Sequence, residues 1–198
     1  MMSPLDSFHD VPARFAGPEA IVSILGHGIT LRLADRMLKT PTLQDQLNSA
    51  LCDRLGACPT ELTSTQTYIA TLLPIELTKL ALRAGAVWHA KLIASVYEGP
   101  AVRALVDRIG SDFRDVALQD IALGATARAA DETVEILNLP AAIARDGAGA
   151  LVAWCEAQPR EVGWRVLLRL RVSARPTVDH KVSGPEILER LVMTACQT

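Results

Sequence analysis

The stretch LRAGAVWHAKLI, Leu82 to Ile93, indicates the central helix of the fold. It sets His89 beside Trp88 in an otherwise apolar run. Wound at about 100° per residue, the run 74–98 collects most of its charged residues on one side and His89 on the opposite, apolar arc. We therefore expect a long helix whose histidine points into the core, bonded to a backbone carbonyl or a polar neighbour.

Close packing against a second helix is expected at the same place. Gly85 lies on the apolar arc, and a residue without a side chain lets another backbone approach. Catalysis by His89 has little support, because no HxxxH or HExxH spacing surrounds it. The residues expected in the core of the chain are Phe15, Leu80, Gly85, Trp88, His89, Ile93 and Trp154.

Proline positions predict where helices begin in the rest of the chain, because a proline suits the first turn of a helix and breaks a helix interior. Helical spacing follows seven of the prolines, and Gly110 separates one further helix from the helix before it. The predicted helices lie near 18–38, 42–55, 74–98, 100–109, 111–124, 140–157, 160–172 and 185–195. The run VLLRLRV, Val166 to Val172, fits a short strand equally well. The predicted fold class is all-α, a single compact multi-helix domain with a short β element near 166–172 as the one alternative.

Length and composition favour one main domain. A chain of 198 residues with 49% hydrophobic content can bury one sizeable core. Polar and turn-forming residues concentrate at the two ends. We expect a flexible N-terminus over 1–12, a helical domain over 13–172, and a linker with a C-terminal helix over 173–198.

Charge and cysteine content narrow the classes of partner. The net charge is −2 with both signs interspersed, which gives no reason to expect a nucleic-acid partner. No window of about 18 residues lacks charge, so direct membrane insertion is not expected. The four cysteines are too scattered for a metal knuckle or a redox pair. A cytoplasmic, soluble protein fits these features best.

Motifs for catalysis, metals and cofactors are lacking in the sequence. His9, His27 and His180 lie far from one another and from any cysteine at ligand spacing. The run DGAGA, 146–150, lacks the preceding strand and the lysine of a phosphate-binding loop, and is better explained by close helix packing or a kink. We therefore predict no catalytic residue, no metal and no cofactor, and a protein that is not an enzyme.

One surface is a candidate for binding another protein. Two tryptophans and several arginines lie within Trp154 to Arg175, a combination enriched at interface anchors. The alternative is that the tryptophans fill the core while the arginine stems cover it. The candidate interface residues are Trp164, Arg165, Arg169 and Arg171.

Four stretches of the chain belong together: ARFAGPEAI (13–21), LNSALCDRLG (47–56), LALRAGAVWHAKLI (80–93) and the segment from Trp154 to Val172. The third places leucine, arginine, glycine, valine and histidine on a long helix, at Leu80, Arg83, Gly85, Val87, His89 and Ile93. Taken in order, the four stretches resemble the K subunit of the type III secretion sorting platform, the YscK/OrgA-like family. The third stretch is the most specific part of this resemblance.

This resemblance implies a function in protein transport. Similar proteins are non-catalytic helical adaptors of the injectisome, cytoplasmic and peripheral to the inner membrane through their partners. The implied partners are the cytoplasmic domain of the inner-membrane ring protein and the pod protein of the sorting platform, which is C-ring-like. Two alternatives stay open: a helical secretion chaperone or regulator, and a small helical enzyme with a pocket near His89.

Overall fold

The computed structural model describes residues 4–26, 28–96, 99–127, 138–170 and 175–196. Every regular element within these ranges is helical, which confirms the predicted all-α class. The elements are α1 (Pro4–Asp10), a 3-10 turn (Pro12–Phe15), α2 (Pro18–Leu25), α3 (Leu31–Lys39), α4 (Pro41–Leu55), α5 (Ser64–Thr71), α6 (Pro74–Trp88), α7 (Ala90–Ser95), α8 (Gly99–Ile109), α9 (Ser111–Gln119), α10 (Ile121–Ala127), α11 (Leu139–Ala157), α12 (Arg160–Arg169) and α13 (Val178–Ala195).

Prolines and caps explain many of these boundaries. Helices α2, α4 and α6 each begin at a proline, which has no N–H to leave unsatisfied in a first turn. Thr63 begins α5 with a capping box. The predicted helix 18–38 is two helices, because Gly26 and Gly28 adopt positive φ angles of 81° and 102° that turn the chain.

The chain folds as two compact units. The first comprises Met1–Leu77 and Cys155–Ser173. Its core joins the apolar faces of α2, α3, α4 and α12. The buried side chains of this core are Ala13, Ile21, Ala34, Leu47, Leu51, Leu55 and Leu168.

The second unit comprises Thr78–Trp154 and Ala174–Thr198. Helices α6 and α11 touch backbone to backbone in it: a Cβ atom at Gly85 would overlap the carbonyl of Ile143, and one at Gly147 the carbonyl of Ala81. This confirms the close packing predicted at Gly85 and at the DGAGA run. One buried apolar cluster of this unit consists of Ala86, Ala90, Ile93, Val96, Leu105, Ile109, Ala117, Leu139 and Ile143.

Three expectations are corrected. Residues 166–169 lie in α12, so the strand alternative is wrong. The N-terminus is not a free tail over its described part, because 4–10 form α1 and Phe8 is buried. The last helix does not hang from a linker: α13 is longer than predicted, contains Pro185, and packs with α10 inside the second unit.

No helix in the described part of the chain has both the length and the apolar character needed to cross a membrane.

Candidate functional site

His89 lies at the junction of α6 and α7, with φ −96° and ψ 18°. The helical hydrogen bonds continue through it, since its N–H donates to the carbonyl of Gly85 at 3.1 Å and its carbonyl accepts from Ile93 at 3.0 Å. The residue is only 2% exposed. The prediction of a buried histidine is therefore confirmed, and what remains is to identify its partner.

That partner is Asp146, on α11, which is 5% exposed. Its Oδ2 accepts from His89 Nε2 at 2.7 Å, and its Oδ1 accepts from Arg145 Nε at 2.7 Å. Burial alone would raise the pKa of Asp146, but the hydrogen bonds from His89 and Arg145 outweigh it and lower the pKa to about 2. Asp146 is therefore an ionised carboxylate inside the second unit.

A second histidine joins this pair from α13. His180 is 5% exposed, and its Nε2 lies 3.8 Å from Asp146 Oδ1. Its ring packs on Trp88 with the centroids 4.4 Å apart and the planes at 34°. Gly149 leaves room for it, since a Cβ there would fall 2.8 Å from His180 Cε1. We call His89, Asp146 and His180 the histidine–aspartate cluster.

The chemistry open to this cluster is limited by its burial. A carboxylate that orients an imidazole is the arrangement of a general base, and His89 Nδ1 has no hydrogen-bond partner among the described residues. However, all three side chains are almost completely enclosed. Across the described ranges, no group of three or more histidine, cysteine or acidic side chains is placed to hold a metal ion. The arrangement is well suited to joining three helical segments.

Two buried arginines occupy the first unit. Arg165 donates from Nη2 to the carbonyl of Gly56 at 2.9 Å, where α4 ends. Arg169 donates from Nη1 to the carbonyls of Ala70 at 2.6 Å and Leu72 at 3.2 Å, where α5 ends. A cation at a helix C-terminus satisfies terminal carbonyls and interacts favourably with the helix dipole. We call Arg165 and Arg169 the arginine pair.

The predicted arginine interface is therefore corrected. Arg165 and Arg169 are only 2% and 4% exposed, because their donors are needed by carbonyls inside the unit. Trp164 is half-buried and packs against the core of the first unit. Arg171 lies outside the described residues. The alternative, in which the tryptophans fill the core and the arginine stems cover it, describes Trp154, which is buried, but the arginine pair is itself buried.

The predicted core residues mostly lie where they were expected. Gly85 is buried where α6 meets α11, and the side chain of Phe15 is outside what the structure describes, although the residue ends the 3-10 turn. The other predicted core residues are all buried, namely Leu80, Trp88, His89, Ile93 and Trp154.

Asp146 and His180 were not predicted to meet His89. Asp146 lies 57 residues after His89 and His180 lies 91 residues after it, so no short sequence motif contains the three residues. A weak signal existed for Asp146, which is an acidic residue beside a glycine-rich run that was expected to pack closely. A weak signal also existed for His180, three residues after Thr177 at a helix start.

Comparisons of the chain with protein-family models, with curated proteins and with solved structures found no match.

Proposed function

We propose that this protein is a non-catalytic helical adaptor of a bacterial type III secretion system. In this role it links the cytoplasmic domain of the inner-membrane ring protein to the pod of the sorting platform. The proposal starts from the resemblance to the YscK/OrgA-like family. The observation that carries it is how the most specific part of that pattern is used in this chain.

Five of the six residues of that pattern are buried and serve helix packing, whereas Arg83 is exposed. Gly85 allows the backbone contact with α11, and His89 bonds Asp146 across the same contact. Val87 and Ile93 are fully buried. A pattern that fixes how helices pack, without presenting a reactive group, is what a family of adaptors requires.

Exposed apolar side chains in each unit offer candidate contacts for two partners. The first unit exposes Leu31 and Leu33 on α3, and the second exposes Val178 and Val182 on α13. Apolar side chains surrounded by polar ones are typical of protein interfaces. These residues replace the arginine pair as the interface candidates of this proposal.

The alternative of a small helical enzyme would use His89 as a base oriented by Asp146. Both side chains are enclosed, so a substrate would need the helices around them to open. The alternative of a secretion chaperone would need one exported protein as the partner instead of two structural ones. Neither alternative is favoured by a specific contact in the described residues.

Co-purification with each partner tests the proposal. The wild-type chain should retain both the cytoplasmic domain of the ring protein and the pod protein. We expect Leu31→Glu with Leu33→Glu to weaken one complex, and Val178→Glu with Val182→Glu the other, each by about tenfold or more. Thr42→Glu with Gln46→Glu adds the same charge at exposed polar positions of α4 and should change neither complex.

Other results of these experiments would contradict the adaptor proposal or favour one of its alternatives. If the folded wild-type chain retains neither protein, the adaptor proposal is wrong. If it instead retains a single exported protein, the chaperone alternative takes its place. Loss of a measurable activity in folded His89→Gln would favour the enzyme.

A further inference from the structure

Helices α5 and α13 begin with the same kind of cap but with different acceptors. At α5, the N–H of Thr63 donates to Gln66 Oε1 at 2.9 Å, and the N–H of Gln66 donates to Thr63 Oγ1 at 3.2 Å. At α13, the N–H of Thr177 donates to His180 Nδ1 at 3.0 Å, and the N–H of His180 donates to Thr177 Oγ1 at 3.3 Å. A capping box normally places glutamate or glutamine at the third helical position.

The difference is chemical. An amide oxygen accepts a hydrogen bond at any pH, whereas a ring nitrogen accepts only while it carries no proton. Because Nδ1 of His180 accepts, the hydrogen of the neutral ring is on Nε2, which faces Asp146 Oδ1. An additional proton must therefore enter on Nδ1, at the position of the cap bond.

His180 is also the main anchor of the start of α13. Between Val178 and Gly184, only His180 and Gly184 are buried. Val178 and Val182 in the same segment are 77% and 74% exposed. The buried apolar side chains of this helix, which begin at Ile187, all come after Pro185.

Pro185 separates these two parts of the helix. A proline has no N–H to donate to the carbonyl four residues earlier, so the helix is weakest around that position. The first two turns can therefore loosen without disturbing the part that is packed through its apolar side chains. We call residues 178–184 the capped segment.

The charged groups around His180 shift its pKa in both directions. Burial is the largest effect and lowers its pKa; Asp146 on α11 and Asp179 on its own helix raise it, while Arg145 and His89 lower it. The carboxylate of Asp146 already accepts from His89 and Arg145 at 2.7 Å each. Both of its oxygens are therefore already engaged when His180 gains a proton.

We propose that His180 is a proton-sensitive latch, and that its protonation releases the capped segment of α13 from the second unit. A doubly protonated ring presents Nδ1–H toward the N–H of Thr177, which loses its acceptor. Nδ1–H can then donate to Thr177 Oγ1, which lies 2.9 Å away, but that bond leaves the N–H of Thr177 unsatisfied. Mild acid then loosens the capped segment, while α5, with its glutamine cap, keeps its protection.

Hydrogen exchange followed by mass spectrometry tests the latch. Peptides from the capped segment and from α5 are compared at about pH 7.5 and about pH 5.5, after correction for intrinsic exchange rates. We expect protection of the capped segment to fall about fivefold, the usual effect of losing a helix N-cap, with no fall in α5. Equal behaviour of the two segments overturns the proposal.

A matched variant isolates the ring nitrogen. His180→Gln copies the glutamine of the α5 cap, so the cap should persist and the pH dependence should disappear. His9→Gln makes the same change on α1 and should leave the pH dependence of the capped segment intact. If His180→Gln keeps the wild-type pH dependence, the latch is wrong.

A second measurement covers the case in which His180→Gln does not fold. Nuclear magnetic resonance of the wild-type chain gives the titration midpoint of the His180 ring and that of the amides in the capped segment. The latch requires the two midpoints to coincide. Separate midpoints would overturn it.

Discussion

The two units bury charge in different ways. In the first unit, the arginine pair donates to backbone carbonyls at the ends of α4 and α5. In the second, Asp146 accepts from His89 and Arg145, with His180 beside it. A buried charge is tolerated only when it is hydrogen-bonded, and both units meet this condition.

The two units differ in whether pH can change the charge of their buried groups. Burial, with a smaller effect from Arg14, lowers the pKa of Arg169 to about 10, so this guanidinium stays charged at neutral pH. Its acceptors are carbonyls, which do not titrate. In the histidine–aspartate cluster, by contrast, Asp146 and His180 can each gain or lose a proton. The comparison therefore assigns a fixed role to the arginine pair and a pH-dependent one to the cluster.

The largest effect is expected from removing the carboxylate of the cluster. Asp146→Ala removes the acceptor of the hydrogen bonds from His89 Nε2 and Arg145 Nε and leaves the buried His89 ring without this partner. We expect the free energy of unfolding to fall by about 3–5 kcal/mol, the usual cost of breaking a buried pair. Urea denaturation followed by far-ultraviolet circular dichroism measures this loss.

An exposed aspartate of the same unit provides the control. Asp115→Ala, on α9, should change the free energy of unfolding by less than about 0.5 kcal/mol. Equal losses in the two variants would contradict the importance of the cluster.

A smaller loss is expected in the first unit. Arg169→Ala removes the donor to the carbonyls of Ala70 and Leu72, and the cation 5.0 Å from the ring centre of Phe8. We expect a loss of about 2–3 kcal/mol that is the same at pH 5 and pH 8, because neither the donor nor its acceptors titrate there. Denaturation at the two pH values measures it.

Arg160→Ala on the same helix removes an exposed arginine and serves as the control. A loss for Arg169→Ala that varies between these pH values would break the distinction between the two units.

Sequence reasoning found the elements that depend on local chemistry. Proline starts gave the beginning of α2 and α6, and the apolar arc gave the burial of His89. It failed at Pro185, because a proline inside a helix is tolerated only when surrounding contacts support it, and these are not visible locally.

The arginine pair shows a second kind of failure. When Arg169 and Arg171 are counted as polar, residues 168–172 alternate like a strand. When Arg165 and Arg169 are counted as buried, residues 162, 165, 166 and 169 repeat at helical spacing. What decides between the two is whether a helix terminus needs the guanidinium, which depends on the tertiary fold. The cluster is similar, since its three members come from distant parts of the sequence.

Acid should remove part of the stability that the cluster provides. The pKa of Asp146 is lowered from 3.8 to about 2, so its contribution is complete above about pH 4 and is lost as the pH falls toward 2. The lost contribution is about 2 kcal/mol, since one pKa unit corresponds to about 1.4 kcal/mol.

The measurement is the difference in unfolding free energy between the wild-type chain and Asp146→Asn. Because the other carboxyl groups are common to both proteins, their effects cancel. The difference should shrink as the pH is lowered from about 5 to about 2. A constant difference would mean that the carboxylate is not held ionised by its neighbours.

The smallest effect is expected for a change that keeps one hydrogen bond of the cluster. In His89→Gln, the side-chain amide can still donate to Asp146 Oδ2, so the carboxylate keeps both of its donors. This variant loses only ring volume in a tightly packed site, which should lower the free energy of unfolding by about 1 kcal/mol. His89→Ala also removes a donor to Asp146, and its loss should be about 1–3 kcal/mol. Thermal and urea denaturation of the two variants give the comparison. If His89→Gln and His89→Ala are equally unstable, the hydrogen bond contributes little and packing alone explains why the histidine is buried. If both match the wild-type chain, His89 has no stabilising role in the second unit.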